Sequence, residues 1–196
     1  RKDLQNEIHE VDGFFGVEPV SLIAEDILKT ERLRDSENCS DLVTQRLGDS
    51  VTLKYNHERV LSTPSHYAYL KIAEGCSNCC TYCAIPMIRG KYRSVPMEDV
   101  LAEAKKLAEN GITELVLIAQ DTSRYGEDLY GESRLPQLLK ELCKIEGLKW
   151  IRTLYCYPER ITDELLDTIA EEEKLVKYLE IPIQKKKKKI LSAMNR

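Results

Sequence analysis

From Tyr67 onward, apolar segments of strand length alternate with amphipathic helical segments, and this alternation constrains the fold more than any other feature. Tyr67-Ala68-Tyr69-Leu70-Lys71-Ile72-Ala73 reads as a strand. Pro96 opens a helix whose apolar face is Val100, Leu101, Ala104, Leu107 and Ala108, and Gly111 stops it. Proline suits a first helical turn because its missing N–H would have no partner there, and glycine suits the left-handed exit. Leu115-Val116-Leu117-Ile118 is continuously apolar, as a strand covered on both faces should be. Leu135, Leu138, Leu139, Leu142 and Ile145 form the next helical stripe, with Gly147 as terminator. Trp150 to Tyr155 reads as a strand, Thr162 caps a further helix with Ile161 stapled onto Leu166, and Tyr178 to Ile183 reads as a fourth strand. Strand and helix in alternation imply a parallel sheet with right-handed crossovers, hence an α/β fold. About four strands leave an open edge and an incomplete core.

Four of the seven cysteines fall within eight positions, Cys76-Ser77-Asn78-Cys79-Cys80-Thr81-Tyr82-Cys83. A secreted disulfide framework would spread its cysteines, so the clustering indicates a metal or cluster and a cytoplasmic location. Taken as C-x3-C-x2-C through Cys76, Cys80 and Cys83, the motif offers three thiolates. Three such thiolates can hold three irons of a cubic 4Fe–4S cluster and leave the fourth open to substrate or cofactor. The motif sits on the loop leaving the first strand, and the carboxyl ends of strands are where α/β folds bind cofactors. A structural zinc site with Cys79 as fourth ligand is the competing reading, although adjacent Cys79 and Cys80 would strain one tetrahedral ion. Cys79 itself reads either as an alternative ligand or as a spacer residue.

At 196 residues the chain holds one domain, or one domain and part of another. A net charge of −4 gives no general pull toward nucleic acid. No apolar run approaches a membrane span and no secretory leader is visible, so no membrane partner is expected. The chain opens on Arg1-Lys2 without Met, and its amino terminus reads as cut. Residues 1–32 read as the tail of a preceding domain, 33–66 as a polar linker, and 67–196 as the core domain.

Ile72-Ala73-Glu74-Gly75-Cys76, Cys80-Thr81-Tyr82-Cys83-Ala84-Ile85-Pro86, Ile88-Arg89-Gly90 and Tyr92-Arg93-Ser94 together resemble the radical S-adenosylmethionine (AdoMet) methylthiotransferase family. One arm of that family modifies an adenosine in tRNA; the other, the RimO type, modifies an aspartate of ribosomal protein S twelve. Ile118-Ala119-Gln120-Asp121-Thr122, Tyr125-Gly126, Asp128-Leu129-Tyr130 and Tyr155-Cys156-Tyr157-Pro158-Glu159-Arg160-Ile161-Thr162 are similar to the ribosomal-protein arm. The tRNA arm usually has Gln-Asn where this chain has Gln120-Asp121. The resemblance runs from about Leu4 to Arg196 and is weak between Lys29 and Leu61.

The resemblance implies an incomplete radical AdoMet (β/α) partial barrel, about four of six strands, preceded by the carboxyl-terminal remnant of an α/β methylthiotransferase amino-terminal domain. It implies a 4Fe–4S cluster and AdoMet as cofactors, with a second 4Fe–4S cluster in the parent protein only. The implied reaction is methylthiolation of the β-carbon of an aspartate in ribosomal protein S twelve. A low-potential donor such as flavodoxin or ferredoxin would supply electrons. The alternatives are a tRNA adenosine methylthiotransferase, or an inactive metal-binding fragment of a degraded gene.

Tyr82 falls where the superfamily often has an aromatic before the last cysteine, which implies packing near the adenine of AdoMet; it also reads as a loop aromatic shielding the cluster. Gln120 and Asp121 end the second strand on the cluster edge, where they either contact AdoMet or substrate or simply end the strand and cap the next turn. Gln184 ends the fourth strand on the same side and carries the same two readings. Arg89, Lys91 and Arg93 read as a solvated basic loop. Lys185 to Lys189 departs from the family pattern and opposes the dipole of any helix it opens. Cys39, Cys143, Cys156, His9, His57 and His66 are scattered, and Cys156 reads as core.

Overall fold

Parallel strands need long crossovers, and the alternation supplies them. In the computed structural model, which describes residues 61–182 and 188–194, the first elements are β1 (Tyr67–Lys71), β2 (Ala73–Glu74), α1 (Ile85–Arg89), β3 (Arg93–Ser94) and α2 (Met97–Glu109). They are followed by β4 (Glu114–Ile118), α3 (Glu127–Tyr130), α4 (Leu135–Cys143), β5 (Trp150–Thr153), α5 (Asp163–Glu171), β6 (Leu175–Leu179) and α6 (Lys188–Ala193). The expected four parallel strands form one sheet in the order β1-β4-β5-β6. The expected domain remnant at 1–32, most of the 33–66 linker, Cys39, His9, His57, Gln184 and Lys185 to Lys187 lie outside the described residues.

The register sorts side chains onto two faces. Ala68, Leu115, Ile151 and Leu175 form one row, and Leu70, Leu117, Thr153 and Leu179 the next. Because side chains alternate along a strand, both rows share one face. This face joins the apolar stripes of α2, α4 and α5 in a single core that includes Leu107, Leu138, Leu139, Leu142 and Ile169. The other face carries Tyr69, Val116 and Arg152 in one row, and Tyr67, Glu114 and Trp150 in another. Arg152 Nε donates to Glu114 Oε1 at 3.0 Å across that face. Tyr69, Trp150 and Tyr178 are exposed.

Four boundaries differ from the sequence reading, the first being β1, which ends at Lys71 and not at Ala73. α4 ends at Cys143, before Gly147, and β5 stops at Thr153, before Tyr155. β6 occupies Leu175–Leu179 rather than Tyr178–Ile183. It is the last strand of the sheet, and its register slips against Ile151 and Thr153. Only one of its residues, Leu175, is buried, so burial left little periodic signal to place it. The antiparallel pair β2–β3 is a further difference, because two residues per strand are too few to show a period.

The cap at Thr162 forms as expected: the Leu165 N–H donates to Thr162 Oγ1 at 3.2 Å. The staple partner Leu166 is nearly half exposed, whereas Leu165 is buried. Thr162→Ala therefore lowers stability by about 1 kcal/mol, typical for a lost N-cap, and Thr162→Ser retains it. The check is the urea midpoint, with the slope m unchanged.

Candidate functional site

The cysteine loop leaves the sheet through a narrow neck. Gly75 has φ +83°, and a Cβ there would lie 2.1 Å from the Lys91 carbonyl oxygen. The chain passes so close to itself because the Cys76 N–H donates to Gly90 O at 3.1 Å and the Tyr92 N–H to Ser77 Oγ at 3.1 Å. Glu74, buried at the base of the neck, pairs with Lys71 at 2.8 Å and with Arg89 at 3.6 Å. Arg89 of the basic run is thus ion-paired, while Lys91 is exposed. Farther out, the Cys83 N–H donates to Cys80 O at 3.0 Å, and the Thr81 N–H donates to Met194 O at 3.1 Å just beyond α6.

Cys76, Cys80 and Cys83 are free and half-buried, and Cys79 is exposed with φ +50°. Burial pushes the Cys76 thiol up from its ordinary pKa; the Asn78 backbone lowers it, while Asp121, Cys80 and Cys83 raise it further. Among the described residues no three His, Cys, Asp or Glu side chains converge on one metal ion. Zinc requires such convergence, whereas in a cubic cluster each cysteine ligates its own iron. The donor set, three soft thiols on one loop, is chemically suited to an iron–sulfur cluster. Cys143 and Cys156 stand apart as buried thiols, each pushed up by burial to about 11, which suits inert packing.

The end of β4 grips this loop. Gln120 Oε1 accepts from the Gly75 N–H at 2.6 Å. Asp121, 2% exposed, accepts from Asn78 Nδ2 at 3.1 Å through Oδ2 and from Ser123 Oγ at 2.6 Å through Oδ1. Asn78 Oδ1 accepts from Arg124 Nη1 at 3.4 Å. Arg124 Nε lies 3.0 Å from Glu127 Oε2, and Arg160 Nη1 lies 2.5 Å from Glu127 Oε1. Arg160 Nε returns to Asp121 Oδ2 at 3.6 Å. Nearby, Asp128 accepts from the Ser94 N–H at 2.8 Å and from Ser94 Oγ at 2.6 Å, tying α3 to β3. Sequence reasoning singled out none of Asn78, Arg124, Glu127 or Arg160. The one available signal was that Arg160 falls inside a family-like motif. Tyr82 stands on the loop 53% exposed, and Gln184 lies outside the described residues. A cavity of about 360 Å³ opens beside the loop between Ser77, Tyr92, Arg124, Asp128 and Ser133.

A sequence model of the radical SAM superfamily matches residues 70–196. The chain belongs to the radical SAM superfamily. That membership makes it part of an enzyme, and a 4Fe–4S cluster and AdoMet are the family's cofactors. The ribosomal protein uS12 methylthiotransferase RimO of Alkaliphilus oremlandii (strain OhILAs) is 52% identical over 196 residues, covering all of this radical SAM chain and 42% of that protein. The RimO of Thermoanaerobacter sp. (strain X514) is 48% identical over 204 residues, covering all of this chain and 43% of that protein. The chain thus spans about two fifths of the length of these curated relatives. Among solved structures, the radical S-adenosylmethionine methyltransferase TsrM from Kitasatospora setae, with tryptophan substrate and a SAM analog bound, superposes with a TM-score of 0.56. It is 16% identical, and the match covers 74% of this chain and 29% of that one, a likeness of radical SAM fold alone.

Proposed function

We propose that this chain is the cluster-binding part of a radical AdoMet methylthiotransferase acting on ribosomal protein uS12. The observation that carries the reading is the three-cysteine loop at the carboxyl end of a parallel sheet, in a chain 46–52% identical throughout its length to RimO proteins. Cys76, Cys80 and Cys83 are the proposed cluster ligands. When bound, a 4Fe–4S cluster with an open iron supplies the electron that cleaves the carbon–sulfur bond of AdoMet.

The chain's own residues orient and shield that site. Tyr82 is the proposed cover over the AdoMet adenine. Gln120 engages the loop through Oε1, which leaves its amide nitrogen as the proposed donor to the cofactor. Asp121 acts at the same edge by holding Asn78, and Gln184 is the proposed contact from the strand end beyond β6. The acceptor carbon is proposed to be the β-carbon of an aspartate, with a low-potential flavodoxin or ferredoxin as electron source and the cytoplasm as location. Among the described residues no helix is long and apolar enough to cross a membrane. Residues 1–32 are proposed as the remnant of the family's amino-terminal domain, 33–66 as linker and 67–196 as core. A second cluster is assigned to the longer parent protein.

The test is incubation of the reconstituted parent protein with AdoMet, reductant, a sulfide source and either uS12 or tRNA. A methylthio mass increment on an aspartate-containing peptide of uS12, and none on tRNA nucleosides, is the expected result. A methylthioadenosine in the tRNA digest reassigns the substrate, and no increment on either refutes the transferase reading.

A further inference from the structure

Five side chains close a ring beside the cysteine loop: Asp121, Asn78, Arg124, Glu127, Arg160 and back to Asp121. We infer that Asn78 is a positioning residue for the cluster, the link through which this ring fixes the spacer between Cys76 and Cys80. The inference rests on the proposed cluster at Cys76, Cys80 and Cys83.

The chemistry of the ring selects asparagine at this position. Its neighbours make opposite demands: the Asp121 carboxylate needs a donor and the Arg124 guanidinium needs an acceptor. A carboxamide offers both on one short planar group, whereas a carboxylate only accepts and an alkyl group does neither. Two carboxylates and two guanidiniums leave the ring without net charge, so the buried Asp121 is compensated inside the protein. The other members have separate anchors. Asp121 and Arg124 border β4 and its following 3-10 turn at Thr122–Arg124, Glu127 opens α3, and Arg160 ends the 3-10 turn at Pro158–Arg160. Ser123 Oγ, bonded to Asp121, also accepts from the Tyr157 N–H at 3.0 Å. Asn78 alone belongs to the loop. Three separate segments of the sheet edge therefore reach the spacer between Cys76 and Cys80 through one side chain. Such groups behind a ligand commonly decide how firmly a metal is held.

The test uses the reconstituted protein with Asn78→Ala, Asn78→Asp and the exchange Asn78→Asp with Asp121→Asn. Iron transfer to a ferrous chelator and the EPR spectrum of the reduced cluster are read, together with backbone amide exchange in the apo-protein. Asn78→Ala should lose iron about tenfold faster or more, the usual scale for such groups, with an altered EPR line shape. Asn78→Asp should be at least as labile, because it sets two carboxylates against each other. The exchange restores one donor and one acceptor across the pair, and should return iron retention toward the original rate. In the apo-protein, Asn78→Ala should speed exchange at Gly75 to Cys83 and leave β4 amides unchanged. Iron loss in Asn78→Ala at the original rate overturns the inference, as does an exchange variant no better than Asn78→Asp. If the unaltered protein takes up no iron, the cluster reading fails; loop exchange unchanged by Asn78→Ala then removes the positioning role as well.

Discussion

Alanine at Cys76, Cys80 or Cys83, the proposed cluster ligands, should abolish the iron–sulfur site. Anaerobic reconstitution of the unaltered protein should give about four irons per site, the content of one cubic cluster. Each single variant should fall close to zero and release no 5′-deoxyadenosine from AdoMet under reductant. The expected loss follows from each proposed thiolate holding its own iron. Cys79→Ala should leave the iron content unchanged, since that thiol is exposed on a residue at φ +50°, turned into the left-handed region. A Cys80→Ala protein that kept its full iron would instead assign the ligand to Cys79. Zinc in place of iron in a soluble, folded sample would overturn the cluster altogether.

Gly75→Ala is the largest stability loss expected from one methyl group. Left-handed backbone costs an alanine about 1–2 kcal/mol. The added Cβ would also meet Lys91 O at 2.1 Å and Gly90 O at 2.8 Å, both backbone atoms that cannot swing aside. Forced overpacking adds about 1–3 kcal/mol, giving about 2–5 kcal/mol in all. Gly131→Ala isolates the first part, because Gly131 is left-handed at φ +79° and ψ −5° with nothing within 4 Å of its Cβ position. Urea midpoints of the two variants should differ by the steric part alone. Equal midpoints would mean that the neck opens without resistance. Gly75→Ala should also impair iron retention, since the Gly75 N–H is the donor to Gln120.

The helix opened at Pro96 and the run Leu115 to Ile118 were legible because each reports on its own neighbourhood. A helix face shows a period of 3.6, and a doubly covered strand shows unbroken apolarity. The spacing of Cys76, Cys80 and Cys83 was legible for the same reason, as a motif contained within eight residues. β6 was misplaced because, as the last strand with one buried residue, it carries little pattern. Asp121 was half legible. Its bond to Ser123 spans two positions and follows from the turn chemistry of aspartate. Its bond to Asn78 spans 43 positions, and no local rule announces it. Arg124, Glu127 and Arg160 look like ordinary surface charges until the fold brings them to one edge. Glu74 hides similarly: a charged residue in a two-residue strand gives no sign that it is buried between Lys71 and Arg89.

The purely parallel sheet has a consequence for the order of events as the chain folds. Its shortest register separation, from Ile151 to Leu175, already spans 24 residues, and β1 meets β4 across the 47 from Tyr67 to Glu114. Non-local pairing of this kind is slow, because loop closure must precede any reward in contacts. The neck of the cysteine loop depends on Gln120, 45 residues along. Translation therefore exposes the three thiols well before the site that arranges them can exist. Iron arriving on the nascent chain meets loose, oxidation-prone cysteines, and productive loading awaits the docking of the β4 edge.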